Sequence, residues 1–438
     1  MTSTTTTDFS VLAASMRGTV TTPDSSDYDE ERAVYNGMID RRPAAVASCV
    51  DTADVLAALA FGREAGLEIA VRGGGHHANG FGVWDGALTI DLSRMNGVDV
   101  IPGAGLVRVQ GGAVWGDVDH ATYAFGQAVP TGIISSTGVG GLTLGGGLGN
   151  LSRRCGLTID NLVSADVVLA DGRVVIASDD SHPDLFWALR GGGGNFGIVT
   201  SFTFRTHEVA DIFGGPILYD IGDSGEVLRW YRDLLPTLPR ELSGWFAVLT
   251  IPPAAPFPED LWGRKACAVV WSYTGDLSKA DQVFKPLTEF GSPILIGVQE
   301  MPLPALQSAF DALYPAGLQW YWRADFFREI TDEAINAHEK FGAELPTGHS
   351  SMHLYAIDGA VNDVGEHDTA FAYRDVTWAG VIVGVDPDPH NAGMLKDWVV
   401  DYWDALHSTS AGGAYVNMMM DEGQDRIRAA YRGNYDRL

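Results

Sequence analysis

The sequence predicts an α+β protein built in two parts. Dense glycine runs lie among alternating strand and helix segments up to about residue 206. Residues 207–411 have few glycine runs and many segments of alternating polar and apolar residues, which is typical of antiparallel strands with amphipathic helices between them. We therefore expect a first domain at 1–206, completed by 412–438, and a second at 207–411 with an antiparallel β-sheet covered by helices.

The first region begins with a strand–helix–strand pattern. Ala44–Val50 is an apolar strand candidate, and residues 51–54 can cap a helix that continues through Val55–Ala60. Leu67–Arg72 predicts the next strand, which runs directly into three glycines. Further strands are predicted at 87–92, 106–110, 162–170 and 196–205, and helices at 114–123 and 184–189.

The second region supplies a different set of elements. Its strands are predicted at 245–251, 266–273, 350–357 and 378–385, and its helices at 225–234, 277–289 and 333–341. No internal repeat is evident.

Composition excludes several classes of protein. Acidic residues outnumber basic ones by 56 to 29, so the chain carries a net charge of -27 that repels nucleic acid. The three cysteines, Cys49, Cys155 and Cys267, are too sparse for a disulfide framework and suit a reducing compartment. The N-terminus has no signal-peptide pattern, and no apolar run approaches the roughly 20 residues of a membrane span. We expect a soluble cytoplasmic protein with neither a nucleic-acid nor a membrane partner.

Three glycine runs, at 73–75, 138–149 and 191–194, suggest a shared task. Backbone without side chains lets peptide N–H groups converge on phosphate. Tight turns alone would explain any single run, but three in one region favour a long phosphate-bearing cofactor. A nicotinamide Rossmann fingerprint is not satisfied, because Gly138–Gly141 does not open an early βαβ unit.

His76 ends the first glycine run. A zinc site is poorly supported, since His76 and His77 are adjacent and no partners lie at ligand spacing. An imidazole beside a phosphate loop could instead meet the reactive end of the cofactor as a nucleophile. An exposed or core histidine is the plainer interpretation of this residue alone.

The motifs together resemble a known family. Arg72–His76, Thr137–Gly149 and Gly191–Thr200 are similar to the three segments of the PCMH-type FAD-binding domain. Tyr415-Val416-Asn417 resembles the C-terminal element of the berberine bridge enzyme-like oxidases, within the vanillyl-alcohol oxidase superfamily. The order and spacing match over essentially the whole chain.

The resemblance implies an FAD whose 8α-methyl carbon is bonded to His76. Many relatives have a second, cysteinyl bond from a residue three positions before Thr137, but Ile134 stands there, so we expect a single bond. The other cofactor-binding residues that the resemblance implies are Arg72, Gly73, Gly74, Gly75, His77, Gly80, Ser135, Ser136, Thr137, Gly138, Gly140, Gly141, Gly145, Gly146, Gly147, Leu148, Gly149, Gly193, Asn195, Ile198, Val199, Tyr415 and Asn417.

The catalytic base is not implied in the same way. Relatives that oxidise alcohols often have Tyr-x-Asn-Tyr, and Met418 stands where the last tyrosine is expected. A base would then come from the second region, where His353 and Tyr355 share one face of a strand and Tyr321 lies between two tryptophans. Tyr415 is the remaining candidate, because the resemblance places it near the flavin.

The resemblance implies an oxidase that transfers a hydride from a small organic substrate to FAD and passes the electrons to dioxygen, giving hydrogen peroxide. A flavin dehydrogenase, an oxygenating flavoenzyme of natural-product biosynthesis and a low-turnover flavin-binding protein are alternatives. Aromatic residues of the second region suggest a partly apolar pocket, and sugars, phenolics, alkaloids and polyketides all remain open as substrates.

Overall fold

A computed structural model describes residues 7–254 and 257–438. The first region contains eleven strands within this described part: β1 Thr19–Thr21, β2 Ala45–Ser48, β3 Ile69–Arg72, β4 Leu88–Asp91, β5 Val98–Ile101, β6 Leu106–Gln110, β7 Gln127–Ala128, β8 Leu162–Val168, β9 Val174–Ala177, β10 Ile198–Arg205 and β11 His207–Glu208. Its helices are α1 Ser10–Ser15, α2 Tyr28–Glu31, α3 Thr52–Glu64, α4 Trp115–Tyr123, α5 Val139–Gly145, α6 Ser152–Cys155 and α7 Pro183–Leu189.

These strands form two main sheets. One has the order β1-β2-β4-β3, with β4 parallel to both β2 and β3, and α3 supplies the crossover between β2 and β3. The helix begins as the sequence predicts, because the Asp51 side chain accepts a hydrogen bond from the Asp54 N–H at 3.0 Å. The other sheet, β5-β6-β10-β8-β9, is antiparallel throughout.

The second region contributes the remaining elements. Its strands are β12 Asp211–Asp220, β13 Leu242–Thr250, β14 Lys265–Tyr273, β15 Leu295–Ile296, β16 Gln299–Pro302, β17 Gln319–Phe327, β18 Ser351–Ala356 and β19 Trp378–Asp386. Its helices are α8 Ser224–Leu234, α9 Ala280–Thr288, α10 Leu303–Ser308, α11 Asp332–Ala343 and α12 Ala392–His407, followed near the C-terminus by α13 Gln424–Tyr431.

These eight strands form one antiparallel sheet in the order β15-β12-β14-β13-β18-β19-β17, with β16 also paired to β12. Helices α8, α9, α11 and α12 pack their apolar side chains on one face, against residues such as Phe246, Leu354 and Ile382. The opposite face carries Trp320, Tyr355 and Val381. Because side chains alternate along a strand, this two-sided arrangement explains why nearly every residue of β18 and β19 is buried.

The α+β fold class is confirmed, with an antiparallel sheet covered by helices in the second region. The domain boundaries at 206 and 412 stay a prediction. All three cysteines are free thiols. Over residues 7–254 and 257–438, no helix has the length and apolar composition needed to cross a bilayer.

Candidate active site

A cavity of about 1050 Å³ lies between the glycine runs of the first region and the bare face of the eight-stranded sheet. Its size is at the upper end of ordinary ligand pockets, about 300–1,000 Å³. Three parts of the chain line it: the loops of the first region, β17 to β19, and the C-terminal segment from Tyr415 to Leu438. Within the described residues, no three His, Cys, Asp or Glu side chains are grouped as metal ligands.

The first glycine loop is fixed by Arg72, at the end of β3. The Arg72 Nε donates to Asp91 Oδ1 at 3.0 Å, and Nη1 donates to the Ala33 carbonyl at 3.1 Å. Both members of this ion pair are buried, so the guanidinium stabilises the loop from beneath. The loop that follows, Gly73 to Gly75, lines the cavity together with Arg72.

The first and second glycine runs touch each other. A Cβ added to Gly74 would lie 2.5 Å from the Gly138 Cα, and one added to Gly138 would lie 2.5 Å from the Gly74 N. No other amino acid permits this backbone approach, which brings the two loops together along one wall of the cavity. Residues 192–197 of the third run line the same cavity, and Gly193 has φ +85°.

The second run is held by Tyr415 and Asn417. The Gly147 N–H and the Asn417 Nδ2 each donate to Tyr415 Oη at 2.9 Å. Asn417 Nδ2 also donates to the Leu142 carbonyl at 3.2 Å. Burial raises the pKa of Tyr415 to about 12, so this hydroxyl stays protonated and acts as a hydrogen-bonding tie between the C-terminal segment and α5.

His76 stands on the cavity wall beneath an aromatic ring. Tyr35 stacks on its imidazole with 3.8 Å between ring centroids and 22° between planes. The His76 Nε2 lies 3.4 Å from Ser136 Oγ. Desolvation lowers the pKa of His76 to about 4, so the ring is neutral at physiological pH and keeps a nucleophilic lone pair.

The sheet supplies a hydrogen-bonded chain on the cavity wall. His353 Nδ1 lies 2.8 Å from Tyr355 Oη, and His353 Nε2 lies 3.1 Å from Tyr314 Oη. Desolvation lowers the pKa of His353 to about 4 and raises that of Tyr355 well above its usual value. The pair is therefore a neutral imidazole beside a protonated phenol, which is an arrangement that can relay a proton.

Tyr321 requires a correction. It lies on β17 between Trp320 and Trp322, which line the cavity, and alternation places its own side chain in the core beneath the helices. Its ring approaches Lys396 of α12. The proposal that Tyr321 could serve as base is wrong on this geometry, because its hydroxyl is on the far face of the sheet.

The C-terminal segment closes the remaining side of the cavity. Met418, Met419 and Met420 line it, followed by Glu422, whose Oε1 accepts from the Met420 N–H at 3.2 Å. Glu422 Oε2 pairs with Arg426 Nε at 3.1 Å, and Arg426 Nη2 pairs with Asp325 of β17 at 3.0 Å. This buried chain of charges, which we call the latch, ties the methionine segment to the sheet.

Most of the residues expected to bind a cofactor line the cavity. They are Arg72, Gly73, Gly74, Gly75, His76, His77, Thr137, Gly138, Gly140, Gly141, Leu148, Gly193, Asn195, Val199, Tyr415 and Asn417. Eight others are not among the residues that line it, although Ser136 contacts His76: Gly80, Ser135, Ser136, Gly145, Gly146, Gly147, Gly149 and Ile198. Tyr35 and Tyr314, which sequence reasoning missed, also line it, and the only sequence signal for them was that each is an aromatic residue in a loop.

The residues present fit FAD. Converging glycine backbones line the cavity: a Cβ added to Gly141 would meet no atom within 4 Å and would take up open space, and a neutral histidine lies beside these loops. Ile134 lines the cavity at the position expected for a second bond, whereas the described residues lining it include no cysteine. Cys155 packs instead against the core around Leu151 and Leu157.

Comparison with protein families and known proteins agrees with this fit. A family model described as an FAD binding domain matches residues 43–178. An uncharacterized FAD-linked oxidoreductase of Bacillus subtilis, YgaK, is 30% identical over 432 residues, which cover 97% of this chain and 93% of the relative.

Two further relatives match over less than half of this chain. The (R)-6-hydroxynicotine oxidase of Paenarthrobacter nicotinovorans is 38% identical over 195 residues, covering 44% of this chain and 43% of its own. The glucooligosaccharide oxidase of Sarocladium strictum is 42% identical over 192 residues, covering 43% and 38% respectively.

Solved structures show the same fold over nearly the full length. The BBE-like 1 protein of Physcomitrella patens superimposes with a TM-score of 0.87 at 22% identity, covering 99% of this chain and 95% of its own. A glucooligosaccharide oxidase from Acremonium strictum, described as carrying a 6-S-cysteinyl, 8α-N1-histidyl FAD, gives a TM-score of 0.84 at 26% identity, covering 98% and 94%.

Proposed function

This chain belongs to the FAD-linked oxidoreductases and has the fold of a BBE-like protein, and from that premise we propose that it is an oxidase of the berberine bridge enzyme-like type with FAD bonded to His76 alone. It oxidises a hydroxyl-bearing small molecule to the carbonyl compound. The two electrons and two protons removed reduce dioxygen to hydrogen peroxide, so the reaction balances without a further acceptor.

The observation that carries this proposal is the presence of two neutral histidines in one cavity. His76 adjoins the glycine loops, and His353 with Tyr355 lies on the sheet. The two assemblies face one space, so a substrate between them can contact the cofactor and the proton-relaying pair together. An alcohol oxidation needs both contacts at once.

Bound FAD supplies the hydride acceptor and the route to dioxygen. The chain supplies the proton acceptor. We propose that Tyr355 Oη accepts the substrate hydroxyl proton while its own proton moves to His353 Nδ1 across 2.8 Å. The Nε2–H of His353 then donates to Tyr314 Oη, which disperses the positive charge on the imidazolium.

An apolar or aromatic alcohol is the substrate class that the lining favours. Trp320, Trp322, Val381 and Val383 face the cavity from the sheet, and three methionines face it from the C-terminal segment. Such a wall offers contact area and few hydrogen-bonding groups, whereas a sugar presents many hydroxyls that need partners. We propose a hydroxylated ring compound in preference to an oligosaccharide.

The test begins with the cofactor. Purified protein should be yellow, and the colour should remain with the acid-precipitated chain. His76→Ala should release all of it, since no second bond is expected, while His390→Ala, at an exposed histidine, should release none. Colourless wild-type protein, or colour that survives His76→Ala in the precipitate, contradicts the proposal.

The reaction is tested by peroxide release. A panel of aromatic, aliphatic and sugar alcohols is incubated with enzyme in air, and hydrogen peroxide is measured with and without catalase. We expect the aromatic alcohols to give the highest kcat/KM. A flavin that a substrate bleaches but air does not restore would identify a dehydrogenase instead.

A further inference from the structure

We propose that Tyr35 and Ser136 form a clamp on the His76 imidazole, and that this clamp positions the ring for bond formation with the flavin. The clamp is fixed from outside by the loop at residues 311–314. This inference rests on the proposed bond at His76. It adds that Tyr35 and Ser136 position the imidazole, and that the bond forms only when the loop at 311–314 is packed against them.

The first arm of the clamp is Tyr35. Its ring lies parallel to the imidazole at 3.8 Å, and its backbone N–H donates to the carbonyl of Gly75, the residue before His76, at 3.0 Å. Its hydroxyl donates to the Tyr314 carbonyl at 2.7 Å. Tyr35 is therefore held at both ends, and the imidazole cannot leave its plane on that side without displacing a buried ring.

The second arm is the Ser135-Ser136 pair. Ser136 Oγ lies 3.4 Å from His76 Nε2, and the preceding Ser135 donates to the Asp311 carboxylate from its N–H at 2.9 Å and also from its hydroxyl. Both arms thus end on one short loop, through Asp311 and through Tyr314. The same Tyr314 reaches His353 Nε2 with its hydroxyl.

The clamp selects one ring nitrogen. Nε2 lies 3.4 Å from Ser136 Oγ, and we assign the proton to Nε2, which donates to this hydroxyl and leaves the lone pair on Nδ1. In the part of the chain that the structure describes, Nδ1 of His76 has no hydrogen-bond partner. A neutral ring with a free, oriented lone pair is the form required of a nucleophile.

Once FAD is bound, a bond would form between Nδ1 of His76 and the flavin methyl carbon. One C–H bond of that methyl group and the Nε2–H bond of the imidazole would break, which releases two protons, and two electrons would pass to the flavin. Dioxygen would take up the two electrons and two protons as hydrogen peroxide, which leaves an oxidised flavin bonded to a neutral imidazole.

The clamp depends on the loop at 311–314. It lies between α10 and β17 in the second region, whereas His76, Tyr35 and Ser136 belong to the first. The arms are complete only when the two regions are packed together. Bond formation should therefore require a closed cavity, so that FAD is bonded only in a chain whose sheet is already in place.

The experiment measures the rate of bonding. Full-length protein made under riboflavin limitation is given FAD, and samples are precipitated with acid over time. Covalent FAD is read from the precipitate and total bound FAD from the absorbance before precipitation. The variants are Tyr35→Leu, Tyr35→Phe, Ser136→Ala and Asp311→Ala, with Tyr123→Leu as control because its hydroxyl bonds Asp211 away from the cavity.

We expect Tyr35→Leu and Ser136→Ala to bind FAD yet bond it about tenfold or more slowly, the effect of losing a stacking or hydrogen-bonding contact that orients the reacting atom. Tyr35→Phe keeps the stack and should be slowed by about threefold or less. Asp311→Ala, which never touches His76, should slow bonding as well. A residue with only a structural role would lower total FAD binding and leave the rate per bound FAD unchanged.

Wild-type rates in both Ser136→Ala and Tyr35→Leu would overturn the clamp. If Tyr35→Leu binds no FAD, its bonding rate cannot be measured. Wild-type bonding rates in both Ser136→Ala and Asp311→Ala would then overturn the clamp. Failure of the proposed function is a different result: wild-type protein would then show no acid-stable FAD, or His76→Ala would still show it.

Discussion

His353 Nδ1 and Tyr355 Oη lie 2.8 Å apart, two residues from each other on one strand and on the same face of the sheet. The spacing of two in β18 is what brings them together, since alternate side chains share a face. Neither member of the pair is a carboxylate, so any acid–base chemistry here moves a proton between two neutral groups.

Tyr355→Phe and His353→Phe should each lower kcat by about 10²–10⁴, the usual contribution of a positioned acid–base group. The matched control is Tyr321→Phe, which removes a hydroxyl from the opposite face of the same sheet and should leave kcat unchanged. Steady-state peroxide release measures all three. Full activity in Tyr355→Phe would show that this phenol takes no part in proton transfer.

The pH dependence of kcat/KM should follow the same pair. His353 must be neutral to accept a proton, and burial lowers its pKa to about 4, so protonation begins to remove the base only as pH falls toward that value. We expect a plateau from about pH 6 to 8 and a fall below about pH 4.5. An exposed histidine would produce its inflection near about 6.5. An inflection there that persists in His353→Phe would assign the base elsewhere.

Gly145→Ala should disrupt the junction between α5 and the C-terminal segment. An added Cβ would lie 2.4 Å from the Asn417 side chain, which would have to leave Tyr415. The clash should cost about 1–3 kcal/mol of unfolding free energy, offset in part by the roughly 1 kcal/mol by which alanine is preferred in a helix.

Gly393→Ala is the control for this substitution, because it lies in α12 with nothing within 4 Å of its added Cβ. It should be neutral or slightly stabilising. Urea unfolding of the holoprotein compares the two. Equal stability of both variants would mean that Asn417 does not need the space at Gly145.

Arg426→Met should break the latch. It leaves the buried Glu422 carboxylate without a cation and Asp325 with only His407 as a side-chain partner, and removing one partner of a buried ion pair typically costs about 3–5 kcal/mol. Arg173→Met, at an exposed pair with Asp171, should produce no measurable change. Thermal unfolding checks the comparison, and an unchanged midpoint for Arg426→Met would show that the latch adds no stability.

Local sequence signals predicted much of the fold and one side of the cavity. Period-two alternation located β13, β14, β18 and β19 to within a few residues, and the Asp51 cap marked the start of α3. The sequence predicts that the glycine runs belong to one site, because backbone without side chains is what allows these loops to approach each other and line the cavity. His76 is next to the first of these runs.

The other side depends on pairing over long distances in the chain. Alternation along β17 predicts that Tyr321 and its two tryptophan neighbours lie on different faces of the sheet. Which of these faces meets the cavity depends on where the covering helices pack, and the sequence of β17 does not encode that. Tyr35 and Tyr314 lie in irregular segments with no period to mark them. They are brought together by a hydrogen bond between residues 279 positions apart.

The hydrogen bonds that the Gly147 N–H donates to Tyr415 and that Asn417 donates to the Leu142 carbonyl of α5 join residues that are synthesised early to residues synthesised much later. A growing chain emerges from the ribosome with its glycine loops first, and those loops lack their final wall until the segment after residue 415 has followed. With FAD as the cofactor, its loading is therefore expected only after the segment that follows residue 415 has been synthesised.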